Sequence, residues 1–352
     1  MNGAESLVRT LLAGDVDVCF TNPGTSEMHF CAALDKINGM RCILCLFEGV
    51  VTGAADGYGR MSDKPAGTLL HLGPGLGNGL SNLHNAKKAR TPIVNIVGEH
   101  ATYHIAYDAP LTADVEGIAR PVSDWVRTSV DSKSVASDAA EAIAAARTFP
   151  GAISTLILPA DTAWTDGAGV AEVPVQAGPG AVGEAAVENC AAALCAGEPA
   201  MLLLGGRALR APTLEIAGRI AAHSNAAIRS ELMSARTERG AGRVTVERIP
   251  YVVDQAVKVL EGIRHLILVG AKAPVAFFAY PNKPSLLIPQ NCEIHVLATA
   301  EEDIADGLER LCDSIGAQST SPNLELAKRP DLSSGELTLE ALWAAVGHLL
   351  PE

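Results

Sequence analysis

The regular alternation of short apolar runs with helix-like segments over residues 1–165 constrains the fold more than any other feature of this chain. Runs rich in Val, Ile, Leu, Cys and Phe recur near residues 16–21, 42–47, 67–71, 92–98, 124–130 and 154–158, each the length of one strand. Helix-like segments and short connections lie between them. That pattern is the signature of a parallel sheet covered on both faces.

At 352 residues the chain exceeds one ordinary core, so two domains are expected. Residues 164–182 are rich in Gly, Ala, Pro and Val with little periodicity, which marks a linker. A second α/β pattern follows, with strands expected near 201–204, 265–270 and 293–297 and helices near 184–195, 213–223 and 302–315. The expected division is 1–165 for the first domain, 166–183 for the linker, 184–330 for the second domain and 331–352 for a C-terminal helix. The fold class is α/β, with two doubly wound, mostly parallel sheets.

Composition narrows the function classes. A net charge of −13, with no basic cluster larger than Lys87-Lys88-Ala89-Arg90, argues against nucleic acid as a partner. The N-terminal residues include Glu5 and lack the apolar core of a signal peptide. No apolar run approaches the roughly 20 residues of a membrane span, so a membrane partner is not expected either. The eight cysteines are scattered through apolar segments and read as core thiols of a cytoplasmic protein. Cys42 and Cys45, three apart on a strand, point to opposite faces and do not make a redox pair.

Three segments fall at carboxyl ends of expected strands, the edge where open α/β sheets bind ligands. Glu48 stands between the run 42–47 and a small-residue helix expected over 49–60. Its position suits a helix N-terminus, which favours an acid. Its neighbours Leu46, Phe47, Val50 and Val51 are apolar and would desolvate the carboxyl, pushing its pKa up while the helix pulls it down. A carboxyl in that balance can share a proton. The second segment, HLGPGLGNG at 71–79, reads as a Gly-rich loop that something approaches closely. It does not fit a dinucleotide fingerprint, because it follows the third strand and has G-x-G-x-G spacing. His71 at its start is either a structural hydrogen-bonder or a proton carrier. The third, Asn22-Pro23-Gly24-Thr25-Ser26, is a turn in which Ser26 can cap the next helix, with Thr25 and Ser26 able to face the same crevice. In the second domain, Gly205-Gly206-Arg207 is a generic strand-to-helix turn. Arg229, Glu231, Arg236, Glu238 and Arg239 read as a solvated charged loop or interface.

These pieces, in order, resemble thiamine-diphosphate-dependent enzymes of the acetolactate synthase-like and benzoylformate decarboxylase-like kind. The resemblance rests on FTNPGTSE at 20–27, LFEGVVTGAADGYGRM at 46–61, LLHLGPGLGNGLSNLHNA at 69–86 and TPIVNIVGE at 91–99. It implies a pyrimidine-binding domain over 1–165 and, more loosely, the family's Rossmann-like central domain over 184–330. The glutamate matching Glu48 hydrogen-bonds N1′ of the cofactor's aminopyrimidine and promotes the imino tautomer that deprotonates thiazolium C2. The resemblance further implies cofactor contacts at Pro23, Gly24, Gly75 and Asn78. It places Thr25, Ser26 and His71 against a small 2-oxo acid, with His71 matching an active-site histidine of the decarboxylases. Decarboxylation and carboligation both remain open.

The departures bear on function as well. The family anchors the diphosphate and Mg²⁺ in a third domain with a Gly-Asp-Gly motif, and these 352 residues contain none. The expectation is therefore a chain that holds the activating acid, lacks the anchor and does not turn over by itself. No residue of the chain is assigned to a metal. Some relatives bind FAD in the central domain, but Gly205-Gly206-Arg207 is too generic to assign it here. The Gly/Ala-rich helix after Glu48 should pack against its mate, giving a homodimer or homotetramer. Two other readings are a non-catalytic dimerisation or regulatory module, and a nicotinamide dehydrogenase supported by the Gly-rich segment alone.

Overall fold

The structure, a computed structural model, describes residues 1–167 and 169–351. It divides into two units, Met1–Gly180 and Ala181–Glu352. The first unit alternates α1 (Gly3–Ala13), β1 (Val18–Asn22), α2 (Met28–Lys36), β2 (Arg41–Leu44), α3 (Glu48–Ser62), β3 (Ala66–Leu70), α4 (Leu72–Ala89) and β4 (Ile93–Glu99). It continues with α5 (Val115–Ala119), β5 (Trp125–Thr128), α6 (Val135–Ala146), β6 (Ile153–Pro159) and α7 (Ala160–Trp164). All six strands are parallel, in the order β2-β1-β3-β4-β6-β5. Strands β3, β4 and β6 are buried along their whole length, which explains their mostly apolar runs, and the polar Thr68, Asn95 and Thr155 among them hydrogen-bond to one another. One face packs Leu7, Leu11, Phe30 and Ile143 beneath α1, α2 and α6, and the other packs Val51, Leu76 and Leu83 beneath α3 and α4.

The topology decides where a ligand can go. The chain lays β2 on one side of β1 and then crosses to β3 on the other. The crevice at such a reversal, outside the carboxyl ends of β1 and β3, is left uncovered by the diverging crossovers. The segments starting at Pro23 and His71 leave those two strands directly, and Glu48 follows β2.

The second unit contains α8 (Glu184–Cys195), β7 (Ala200–Leu204), α9 (Ala211–Ser224), β8 (Ala227–Ser230), β9 (Glu247–Arg248), α10 (Val253–Leu260), β10 (His265–Val269), β11 (Glu293–Ala298), α11 (Ile304–Ser314) and α12 (Leu339–Leu349). Its sheet is also parallel, in the order β11-β10-β7-β8-β9. Two apolar layers cover it, one under α8, α9 and α11, the other around Ile249, Val253 and Leu260. Gly205 and Gly270, at the ends of β7 and β10, approach so closely that a Cβ on Gly205 would lie 2.7 Å from the Gly270 carbonyl oxygen. That contact gives the Gly205-Gly206-Arg207 turn a packing reason of its own.

Four local expectations are corrected. The run 42–47 is a strand only as far as Leu44, because the chain bends away before α3. Residues 73–77 are not a loop: α4 begins at Leu72, and Gly75 and Gly79 on it face α3. Arg229 lies on β8, paired with Leu203 of β7, rather than in a charged loop. Ser26 does not cap α2; it sits in a 3-10 turn, Thr25–Glu27, and its hydroxyl donates to Glu27 instead.

Candidate active site

Glu48 is the first residue of α3, and the preceding Phe47 has the extended backbone of an N-cap. The helix N-terminus favours the carboxylate electrostatically. Its side chain is buried, with the residue 8% exposed. The apolar neighbours do not supply that burial as expected: Leu46, Phe47 and Val50 are exposed, and of the four only Val51 enters the core. Helix α4 covers the carboxyl instead. Asn78 Nδ2 donates to Glu48 Oε2 at 3.0 Å, and a Cβ on Gly75 would lie 2.9 Å from Oε1. Among the described residues no hydrogen-bond donor reaches Oε1.

The α3–α4 contact explains half of the glycine run. Gly75 and Gly79, four apart, share one face of α4. A Cβ at 79 would meet Thr52 Cγ2 at 2.8 Å, and the Thr52 hydroxyl donates to the Gly79 carbonyl at 3.1 Å. Asn82 Nδ2 donates to the Gly49 carbonyl at 2.6 Å, one turn further. Gly77, by contrast, is exposed, and a Cβ there would meet nothing within 4 Å. The glycines at 75 and 79 let two backbones approach and bring Asn78 onto the Glu48 carboxyl.

His71 is the N-cap residue of α4 and lies 2.7 Å, through Nδ1, from Glu27 Oε2. Leu72, immediately after it, has φ +49°, a left-handed conformation that is costly for a branched side chain and recurs at functional sites. Leu72 is 1% exposed, so packing holds the bend that turns the His71 ring back toward Glu27. Glu27 is itself 3% exposed. Its carboxylate accepts from the Gly24 N–H at 2.7 Å, from the Ser26 hydroxyl at 2.8 Å and from the His71 ring. Ser26 Oγ also lies 3.4 Å from His71 Nδ1. Two glycines make room for this group. A Cβ on Gly24 would fall 2.3 Å from the His71 ring, and one on Gly98 would fall 1.6 Å from Glu27 Oε1.

The contact with Glu27 engages Nδ1 of His71 and orients its ring. Glu99, at the end of β4, is a further buried acid of this edge. Burial pushes its pKa up, opposed by the His100 N–H that donates to it at 2.7 Å and reinforced by Glu27.

The structure thus joins most of the expected residues into two linked groups: Gly24, Ser26 and His71 around Glu27, and Asn78 and Gly75 around Glu48. Gly75 is the link, since a Cβ there would also lie 3.3 Å from His71 Cβ. Pro23 follows β1 directly and is half-buried, and Thr25 is exposed. Glu27 was missed by sequence reasoning, although it stands within the FTNPGTSE segment and three residues after Gly24. A buried acid one turn into a loop, facing a glycine at the next strand end, is legible only once β1 and β4 are placed in one sheet.

Two parallel sheets, the first with buried acids at the edge where its strand order reverses, define a doubly wound α/β protein. The chain belongs to the thiamine pyrophosphate enzyme family. Residues 1–118 match that family's N-terminal TPP-binding domain. Over 353 aligned residues the chain is 52% identical to the Mycobacterium tuberculosis (strain ATCC 25618 / H37Rv) protein named "Putative acetolactate synthase large subunit IlvX", covering all of this chain and 67% of that protein. It is 34% identical over 143 residues to benzoylformate decarboxylase of Pseudomonas aeruginosa, covering 40% of this chain and 27% of the relative. The fold matches the X-ray structure of a "putative thiamin diphosphate-dependent enzyme" from Mycobacterium smegmatis with a TM-score of 0.84 at 20% identity, over all of this chain and 71% of that one. No helix among the described residues is long and apolar enough to cross a membrane.

Proposed function

We propose that this chain supplies the pyrimidine side of the active site in a thiamine-diphosphate-dependent enzyme that decarboxylates a small 2-oxo acid, with or without ligation of the product to a second carbonyl. The observation that carries the reading is the Glu48 carboxyl, buried at the sheet's reversal with Oε2 held by Asn78 and Oε1 reached by no donor among the described residues. An acid presented in this way fits a ring nitrogen that gains and loses a proton. When bound, the cofactor supplies a nucleophilic thiazolium carbon that attacks the 2-oxo acid and accepts the electrons released with CO₂. Glu48 holds the proton on the pyrimidine nitrogen, and α4 keeps water from competing for it. Gly75, having no side chain, leaves the space beside Oε1 in which a pyrimidine ring would be held.

His71 serves the substrate side. Glu27 fixes the ring, so Nε2 is available to bind the substrate carboxylate or to deliver a proton once CO₂ has left. Ser26 and Thr25 line the same side. The diphosphate and Mg²⁺ are assigned to a Gly-Asp-Gly-bearing segment that is not among these residues. FAD is not part of the proposal.

The apolar positions Leu46, Phe47, Val50 and Met61, all exposed along α3 and its approach, support self-association through this helix. Leu46 is 92% exposed, an unfavourable position for an isolated leucine beside three other apolar side chains. The face fits a second copy of the chain, as expected for a homodimer or homotetramer.

Turnover tests the reading. The assembled enzyme containing this chain should release CO₂ from at least one small 2-oxo acid, and Glu48→Gln should abolish that release. Retention of wild-type turnover by Glu48→Gln on every accepted substrate would overturn it.

A further inference from the structure

One side-chain cluster in the second unit has the make-up of a metal site. His265 is the first residue of β10, and in the parallel register it stands beside Glu293, the first residue of β11. His295 lies two residues on, on the same face. Further along that face Ile267, Val269 and Leu297 belong to the apolar layer beneath the helices. At the amino ends of the strands the layer gives way to two imidazoles and a carboxylate.

We propose that His265, His295 and Glu293 form a binding site for a borderline divalent transition-metal ion of the Zn²⁺ class. The three donor atoms are His265 Nδ1, His295 Nε2 and Glu293 Oε2, separated by 3.1, 3.8 and 3.8 Å. A point equidistant from the three lies about 2.1 Å from each, inside the range of Zn–N and Zn–O bonds. Among the described residues this is the one group of three such side chains placed to share an ion.

The surroundings support the assignment. His265 Nε2 lies 3.1 Å from Glu198 Oε2, which holds the proton on Nε2 and turns the Nδ1 lone pair toward His295. A carboxylate on the far nitrogen is the usual partner of a metal-bound histidine. The other Glu198 oxygen lies 3.6 Å from Arg264 Nε, so the carboxylate is positioned before any ion binds. Without a cation, His295 donates its Nε2 proton to His265 Nδ1. A bound ion takes the place of that hydrogen bond, with the His295 proton moved to Nδ1 so that the Nε2 lone pair becomes the ligand. Two imidazoles select Zn²⁺, Ni²⁺ or Cu²⁺ over Mg²⁺, and the exposed Glu293 leaves a coordination position to water. The ion would clamp the edge strand β11 to β10.

Calorimetric titration of the EDTA-stripped full chain with ZnCl₂, repeated after thiol alkylation and with MgCl₂, tests the site. The expected result is one Zn²⁺ per chain, unaffected by alkylation, with no saturable Mg²⁺ binding at this site. Glu198→Gln should weaken Zn²⁺ binding about tenfold or more, and His295→Gln at least as much. The exposed Glu293→Gln, which leaves the strand pairing intact, should weaken it as well. Binding that disappears on alkylation, persists unchanged in both His295→Gln and Glu293→Gln, or is absent in the wild type would overturn the proposal.

Discussion

Gly75 and Glu48 meet so closely that a single added methyl group at position 75 would lie 2.9 Å from Glu48 Oε1. The free oxygen of the proposed proton-holding acid therefore depends on a residue with no side chain, placed there by helix–helix packing. Gly75→Ala should obstruct the space beside that oxygen. Alanine is the better helix former by about 1 kcal/mol, which offsets part of the crowding. The expected outcome is a large loss of turnover with little change in melting temperature, compared by steady-state kinetics and thermal unfolding. Gly77→Ala, where a Cβ meets nothing, should stabilise by about 0.5–1 kcal/mol and leave turnover unchanged.

Glu27 accepts from three donors, so Glu27→Gln sets an amide NH₂ against at least one of them. Leaving a buried donor unpaired costs about 1–3 kcal/mol. His71 would also lose its fixed orientation. Kinetics across pH should show kcat falling more than KM rises, with an altered profile; a uniform loss that only follows stability would restrict Glu27 to a packing role. Gly98→Ala, whose Cβ would fall 1.6 Å from Glu27 Oε1, should reproduce the same defect by displacing the carboxylate.

Burial raises the pKa of Glu99 above its ordinary value. A carboxyl whose folded pKa exceeds its unfolded pKa binds more protons when folded, so its contribution to stability is present at low pH and is lost as pH rises through the folded value. Glu99→Gln should remove that dependence. The difference in melting temperature between variant and wild type should widen in the variant's favour as pH increases from about 4.5 toward neutrality.

The exposed apolar face of α3 should associate. Val50→Asp places a charge in that face and should shift the protein toward monomer, read by light scattering at micromolar concentration. An unchanged mass would remove α3 from the interface.

Much of the first unit was legible in the sequence because its strands are buried on both faces. Residues 66–70, 93–99 and 153–159 announce themselves as mostly apolar runs of strand length. The two-residue strand β9, Glu247–Arg248, carries no such pattern: both residues are exposed, and only pairing with β8 defines it. The run 71–79 misleads for a different reason. Four glycines have poor intrinsic helix propensity, but close contact with α3 outweighs that cost, so a segment that reads as a loop becomes helix. Glu48, His71 and Gly75 stood at strand or helix ends and could be found from order alone. The Glu27–His71 bond joins residues 44 apart and depends on Gly98 from a third strand. The His265–His295 pair likewise becomes visible only when β10 and β11 are set side by side.

The central claim is that Glu48 holds the proton that activates the cofactor. It is tested most directly by NMR measurement of C2–H/D exchange of thiamine diphosphate bound to the assembled enzyme, comparing wild type with Glu48→Gln. Exchange should slow by about 10²-fold or more in the variant, as expected for loss of a positioned proton-transfer group, while the cofactor stays bound. Exchange at the wild-type rate with the cofactor bound would contradict the account.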